Sequence, residues 1–354
     1  MANSSSRCFY INLPIGGVAA GIIFLFFTTP PQAVPVAATL KEKILQMDFP
    51  GTLTIVASIV LYLLSMQWGG QTKPWSSGAV IGTLIASFVL FGIFLVIQYF
   101  QGERAIIVGR LMKNRTVAVA MFTVFNIGAG FFLLLYYLPL YFQVVSGVSA
   151  SQSGVRNLPL IIGSTITTII SGGLISAFGH FVPLGIVGSA IGTIGAGLLY
   201  TLGVSSPSSQ WIGYQALAGL GLGLAFQIPV ISTQAVVAPE DLSSATAMIL
   251  FCQAVGGAYV IAAGEAAFAN TVLGALPKYV PGIEPHTILH TGIGGLRAVF
   301  PAETLPGIIH AYMDGLKIDY AIAIAAIGLS MVGWFGSKWP WMNLKGKVQV
   351  GAAA

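Results

Sequence analysis

Residues 78–100 read GAVIGTLIASFVLFGIFLVIQYF, 23 residues without a charge. A helix of that length rises roughly 34 Å at ~1.5 Å per residue, enough to cross about 30 Å of hydrocarbon. The run is too long for a core strand, and it lacks the alternating polar positions of a half-buried one. The same reading repeats outward in both directions. Windows 9–27, 51–68, 117–138, 158–178, 182–203, 211–233, 243–265 and 318–336 are each 18–23 residues long. Glu265 and Asp319 are the only charges in them, each near a window end. Of the 354 residues 56% are hydrophobic and 7% charged, against roughly 25% charged in an ordinary soluble domain. That balance excludes a soluble enzyme, a nucleic-acid binder and a disordered chain. The sequence predicts an all-α polytopic membrane protein with nine transmembrane helices.

Loop charge sets the expected orientation. Loops after odd-numbered windows carry nine Lys and Arg in 69 residues, against six in 95 on the other side. The positive-inside rule then puts the C-terminus and the loop with Arg110, Lys113 and Arg115 in the cytoplasm, and Met1 outside. Asn114-Arg-Thr is a glycosylation sequon that this orientation hides. Arg7 ahead of window 9–27 resembles a signal peptide, but the apolar run is too long and holds Pro14, Gly16 and Gly17, so it reads as a retained span. Two cysteines, Cys8 and Cys252, make no disulfide framework. The longest loop, 266–317, falls outside, and its pair His286 and His290 reads as solvated. His286 and His290 within it have the i, i+4 spacing of some metal pairs, yet only Glu284 lies nearby, so no metal site and no cofactor are expected.

Within the windows glycine has a period. Gly185, Gly188, Gly192 and Gly195 form one helical stripe, as do Gly219 and Gly223 with Gln227 one turn on. Lipid gives helices no hydrophobic reason to associate, so small residues must supply close contact. The run GLGLGL from Gly219 is no nucleotide fingerprint, because no strand precedes it. No Walker sequence occurs either, which excludes an ATP-driven engine of that kind. Asn126 and Gln253 lie near window centres on faces with Gly130 and Tyr137, and with Gly257 and Gly264. An amide in hydrocarbon needs partners, so these faces should turn inward, either as helix–helix glue or lining a substrate cavity. Pro229 cannot donate a backbone hydrogen bond and should loosen the helix near Gln227. Asn126, Tyr137, Gln227 and Gln253 are therefore the candidate substrate-binding residues. Glu265 is the candidate proton-coupling carboxylate, its alternative being an anchor at the membrane surface. No catalytic set of midspan carboxylates, histidines or Ser-His pairs is present, so an enzyme is not expected.

Several stretches resemble one family. FYINLPIGG (Phe9–Gly17) and MDFPGTLTIVASIVLYLLSMQWGG (Met47–Gly70) are similar to the sixth and seventh spans of the fungal fourteen-span drug:proton antiporters of the major facilitator superfamily. LMKNRTVA (Leu111–Ala118) and YYLPLYFQVVSGVSASQSGVRNLPLI (Tyr136–Ile161) resemble the entry to their second bundle. GLGLGLAFQIP (Gly219–Pro229) and ATAMILFCQAVGGA (Ala245–Ala258) resemble their late spans. The proline-rich loop from Pro281 is similar to those of toxin and secondary-metabolite efflux pumps.

The resemblance implies a partial major facilitator fold, spans six to fourteen. One N-bundle helix and a cytoplasmic loop would occupy 1–50, with two linker spans and a basic loop in 51–115. The complete C-terminal six-helix bundle would fill 116–340, and a cytoplasmic tail 341–354. It implies proton-coupled efflux of a small amphipathic organic compound from a multi-pass protein of the plasma membrane, or else the vacuolar one. Its partners would be that substrate, protons and the lipid bilayer, with no nucleic acid. The first five spans have no counterpart here, so the expectation is an N-terminally truncated chain, inactive alone. The alternative is a non-transporting membrane remnant or interaction partner. At LISAFGHF (Leu174–Phe181) the family's Asp-Arg pair is missing, which puts a gate built on it in doubt.

Overall fold

The computed structural model describes residue 10, residues 12–26 and residues 39–337. Arg7, Cys8, Lys338, Lys345, Lys347, the tail 341–354 and the side chain of His290 lie outside the described residues. The chain divides into two units, Met1–Lys43 with Val350–Ala354, and Ile44–Gln349. The first contains helix α1, described over Asn12–Phe26. The second holds α2 (Phe49–Trp68), α3 (Gly78–Gln101), α4 (Arg115–Val144), α5 (Leu158–Phe178) and α6 (Val182–Tyr200). These are followed by α7 (Ser208–Phe226), α8 (Leu242–Tyr279) and α9 (Leu305–Phe335). Among the described residues eight helices are long and apolar enough to cross a membrane, so eight of the nine expected spans have a matching helix.

Helix starts use local chemistry. Ser77 and Asn114 cap α3 and α4 through side-chain oxygens, while Pro50, Pro159, Pro183 and Pro306 sit in first turns, where a missing N–H costs nothing. Asp48 is the strained cap. It takes a left-handed conformation at φ 43° and is 1% exposed. Its carboxylate accepts from Gly51 N–H at 2.9 Å, Gln98 Nε2 at 2.6 Å and Gln101 Nε2 at 3.2 Å. One buried carboxylate thus starts α2 and ties it to the end of α3. Farther along, Ser58 and Ser87 exchange hydroxyl-to-carbonyl bonds of 2.9 Å each, and Tyr259 OH lies 3.1 Å from Ser58 Oγ, joining the α2–α3 pair to α8.

The remaining six helices pack as two triads. In one, α7 lies between α5 and α6; in the other, α4 packs on α8 and α9; the α6–α9 contact joins them. Glycine decides how close the first triad can come. A Cβ on Gly219 or Gly223 would strike Leu160 or Ser164 of α5, whereas one on Gly221 would strike Gly192 and Gly188 of α6. The GLGLGL run therefore offers bare backbone to a neighbour on each side. The stripe Gly185, Gly188, Gly192 and Gly195 is buried throughout, as expected for packing.

Two expectations need correcting. The loop 266–317 is largely helix: α8 runs on to Tyr279 and α9 begins at Leu305, with short helices Pro285–Thr291 and Leu296–Val299 between them. Ala269, Val272 and Leu276 are buried at helical spacing, so an amphipathic extension continues beyond the apolar window. Likewise Asp319 is not at the end of a span but in the middle of the 31-residue α9.

Candidate functional site

The three amides approach one level of the bundle. Asn126 on α4 is buried, and its Nδ2 donates to the Phe122 carbonyl one turn back at 2.8 Å. Its face turns inward, since Gly130 packs against Ile327 and Ala323 of α9. Gln253 on α8 is half-buried, and a Cβ on Gly128 of α4 would stand 2.8 Å from its carbonyl oxygen. Gln227 is half-buried at an interruption in which α7 stops at Phe226 and a new helix, Ile228–Gln234, starts with Pro229 in its first turn. The Phe226 ring lies 5.0 Å from that of Phe131, tilted by 58°, which brings the break to the same stretch of α4 that meets Gln253. Among the described residues the Gln227 and Gln253 amides make no side-chain hydrogen bond.

The break has a physical consequence. Near its end α7 leaves carbonyls without an N–H from the next turn. Thr168 donates to the Gly223 carbonyl at 3.0 Å and Ser171 to that of Leu224 at 2.9 Å. Hydroxyls of α5 therefore satisfy the freed carbonyls, and the Gln227 side chain is the polar group left over.

Tyr137 does not join the amides. It lies eleven residues beyond Asn126, roughly 16 Å along the axis. It is buried, with its ring 5.6 Å from Phe268 and its edge against Gly264. Glu265, the next residue, is exposed. Sequence reasoning passed over the group beside it: Asp319 is 0% exposed, and neither carboxylate oxygen has a hydrogen-bond partner. The signal was available, because Tyr312, Leu316, Ala323 and Ala326 share its helical face and are all apolar or aromatic. Gln215 on α7 was also missed, buried with its amide unpartnered.

Elsewhere, an open apolar groove of about 450 Å³ runs between α5 and α7, past Leu158, Ile162, Trp211 and Ile212. Arg156 stands at its rim, 5.6 Å from the Trp211 ring. Arg110 bridges Glu103 at 2.9 Å and Asp241 at 2.7 Å, pinning the turn after α3 to the turn before α8. His310 stacks on Tyr279 and His286 is exposed. No group of three metal-ligating side chains forms among the described residues.

Comparison with known proteins gives this arrangement a family. The chain is 47% identical over 96% of its length to an MFS-type transporter of Pestalotiopsis microspora, covering 62% of that protein. It is 37% identical over 98% of its length to an MFS-type efflux pump of Arthroderma benhamiae, covering 64%. With an efflux pump of Aspergillus niger the identity is 38% over 94%, covering 63%. The chain thus spans a little over 60% of the length of these relatives. In fold it is similar to a bacterial homolog of the human lysosomal transporter Spinster, in its inward-facing and occupied conformation. The TM-score is 0.50 at 19% identity, covering 73% of this chain and 56% of that one. The model of the Major Facilitator Superfamily matches residues 4–261, and this multi-pass integral membrane protein belongs to that superfamily.

Proposed function

We propose that the protein works in proton-coupled efflux of a small amphipathic organic compound, with Asn126, Gln227 and Gln253 contacting it. The observation that carries this is the helix break at Gln227, which leaves an unpaired amide level with Gln253 on a neighbouring helix. Apolar walls with a few convergent polar groups suit a bulky, weakly polar ligand. Discontinuous helices at a repeat interface are where secondary transporters hold substrate. The names of the relatives support export as the direction. Tyr137, remote from the amides along α4, acts in this reading as a wall of a second region rather than as a substrate contact. Glu265 is exposed, which suits the surface-anchor alternative better than a proton carrier. The Arg110 end faces the cytoplasm, and the plasma membrane is the preferred location.

Transport of this type works by one bundle rocking against another around the site. The six helices α4 to α9 make one such bundle, so these 354 residues are expected to need a second, supplied in the same chain or separately. The test is efflux of a panel of amphipathic compounds from yeast cells expressing the protein, with and without a proton gradient. Export that persists after the gradient is collapsed would remove proton coupling; no export of any compound with a second bundle present would remove the transport reading.

A further inference from the structure

We propose that the groove between α5 and α7 is a binding site for an organic anion, an aromatic carboxylic acid whose carboxylate is held by Arg156 and whose rings lie on the apolar walls. The proposal deepens the transporter reading: it rests on that reading for the anion being cargo, not for its being bound. The Gln227 and Gln253 amides carry no charge and do not select an acid. Arg156 does.

A close helix crossing builds the groove. A Cβ on Gly163 of α5 would stand 3.1 Å from the Ala216 carbonyl oxygen of α7, so the two backbones nearly touch and make a shallow floor. Leu158, Ile162 and Ile212 rise beside it as walls, each large, apolar and exposed. From Trp211 to Leu220 the lining covers nine residues of α7, roughly 13 Å along the axis. The open end lies where α4 finishes: Trp211, near the start of α7, meets Phe142, near the end of α4, with ring centroids 4.9 Å apart. In the proposed orientation that is the outer end of the bundle.

Arg156 sits at this end, its guanidinium carbon 5.6 Å from the Trp211 ring and 5.8 Å from that of Phe142. It is half-buried, and among the described residues it makes neither a hydrogen bond nor an ion pair. An arginine serving a lipid headgroup extends its charge towards water. Arg156 instead lies inward against two aromatic rings, one of them 0% exposed. Cation–π attraction holds the guanidinium there and leaves its N–H donors unused. A planar fork with unused donors matches a carboxylate through two parallel hydrogen bonds, and its rigid plane fixes the angle at which the acid enters. The groove holds about 450 Å³, within the ~300–1,000 Å³ of small-molecule sites. A ring system laid on the walls reaches the guanidinium with its acid group, so charge and shape select the same ligand.

Equilibrium binding of radiolabelled naphthylacetate to the 354-residue chain in nanodiscs of zwitterionic lipid tests this. Its uncharged amide serves as the comparison and empty nanodiscs as the background. The expected result is saturable binding of the acid, with the amide weaker by roughly tenfold to a hundredfold. Arg156→Gln should bring the acid down to the level of the amide and leave the amide unchanged. Arg156→Lys should keep part of the preference, because it retains the charge but not the fork. Ile212→Trp, which fills the groove, should weaken acid and amide together. Equal binding of the two probes, no saturable binding, or acid binding unchanged in Arg156→Gln would overturn the proposal. So would a phospholipid that stays on the purified chain and is not displaced by the acid. Should Arg156→Gln fail to fold, the acid and amide on the unsubstituted chain still decide it. None of these readouts measures efflux, so the site and the transport reading fail separately.

Discussion

Trp334 donates its indole Nε1–H to Ser189 Oγ at 3.2 Å, and the same ring lies over the bare backbone of Gly185. Ser330 donates to that oxygen as well, at 3.0 Å. One hydroxyl and one glycine of α6 thus seat the buried tryptophan of α9, fixing the contact that joins the two triads. Trp334→Ala should lower stability by about 3–5 kcal/mol, the range for deleting a large buried aromatic. Trp334→Phe should cost far less, since an interhelical hydrogen bond in lipid averages ~0.6 kcal/mol. Thermal unfolding in detergent measures both; equal losses would mean that the bond, not the packing, holds the contact.

Asp48 should be the most sensitive residue of the α2–α3 pair. Asp48→Ala removes a helix cap and strands the buried Gln98 amide, a combined loss of roughly 2–4 kcal/mol. Asp48→Asn keeps an accepting oxygen and should recover most of it. A shift in unfolding temperature no larger than that of a surface control would contradict this role.

Glycines of α7 should divide sharply. Gly221→Ala drives a methyl into Gly192 and Gly188 of α6, whereas Gly213→Ala in the same helix meets open space. The first is expected to cost about 1–3 kcal/mol from overpacking, and the second to be neutral or mildly stabilising. Similar unfolding temperatures for the two would show that α6 and α7 are not held this close.

The amides give different expectations for substrate choice. Gln227→Leu and Gln253→Leu should change which compounds are exported at normal protein abundance, because neither amide is committed within the protein. Asn126→Leu should act more weakly, since its amide already bonds its own helix. Growth on a compound panel, with abundance measured in parallel, reads this. Reduced abundance with unchanged preference would make the amides packing residues.

Asn114 should stay free of glycan when the protein is expressed through the secretory pathway. Its side-chain oxygen caps α4 by accepting from Thr116 N–H at 3.0 Å, at the end of the bundle richest in arginine and lysine. A glycosidase-sensitive mass on Asn114 would reverse the proposed orientation.

Hydropathy, proline and glycine chemistry act within a few residues, and so the sequence alone settled much of the fold. Eight long apolar helices, the interruption before Pro229 and the buried stripe of α6 all follow from properties that travel with the local chain. Burial of a given side chain does not. Glu265 and Asp319 looked alike as lone carboxylates near window ends, yet one is exposed and the other fully enclosed. Both helices run on past these positions; the difference arises because α9 lays Asp319 against Gly264 and Leu133, whereas α8 leaves Glu265 exposed. The same holds for 266–317, where average polarity hid an amphipathic helix whose apolar side has meaning only beside its neighbours. Tyr137 and Asn126 share a helical face and eleven residues already set them at different levels, but only the packing of α8 shows what that face meets, Gly264 beside Tyr137 and Gln253 beside Gly128. Which helix faces meet is a property of the assembled bundle, set by steric fit between distant segments, and no local window contains it.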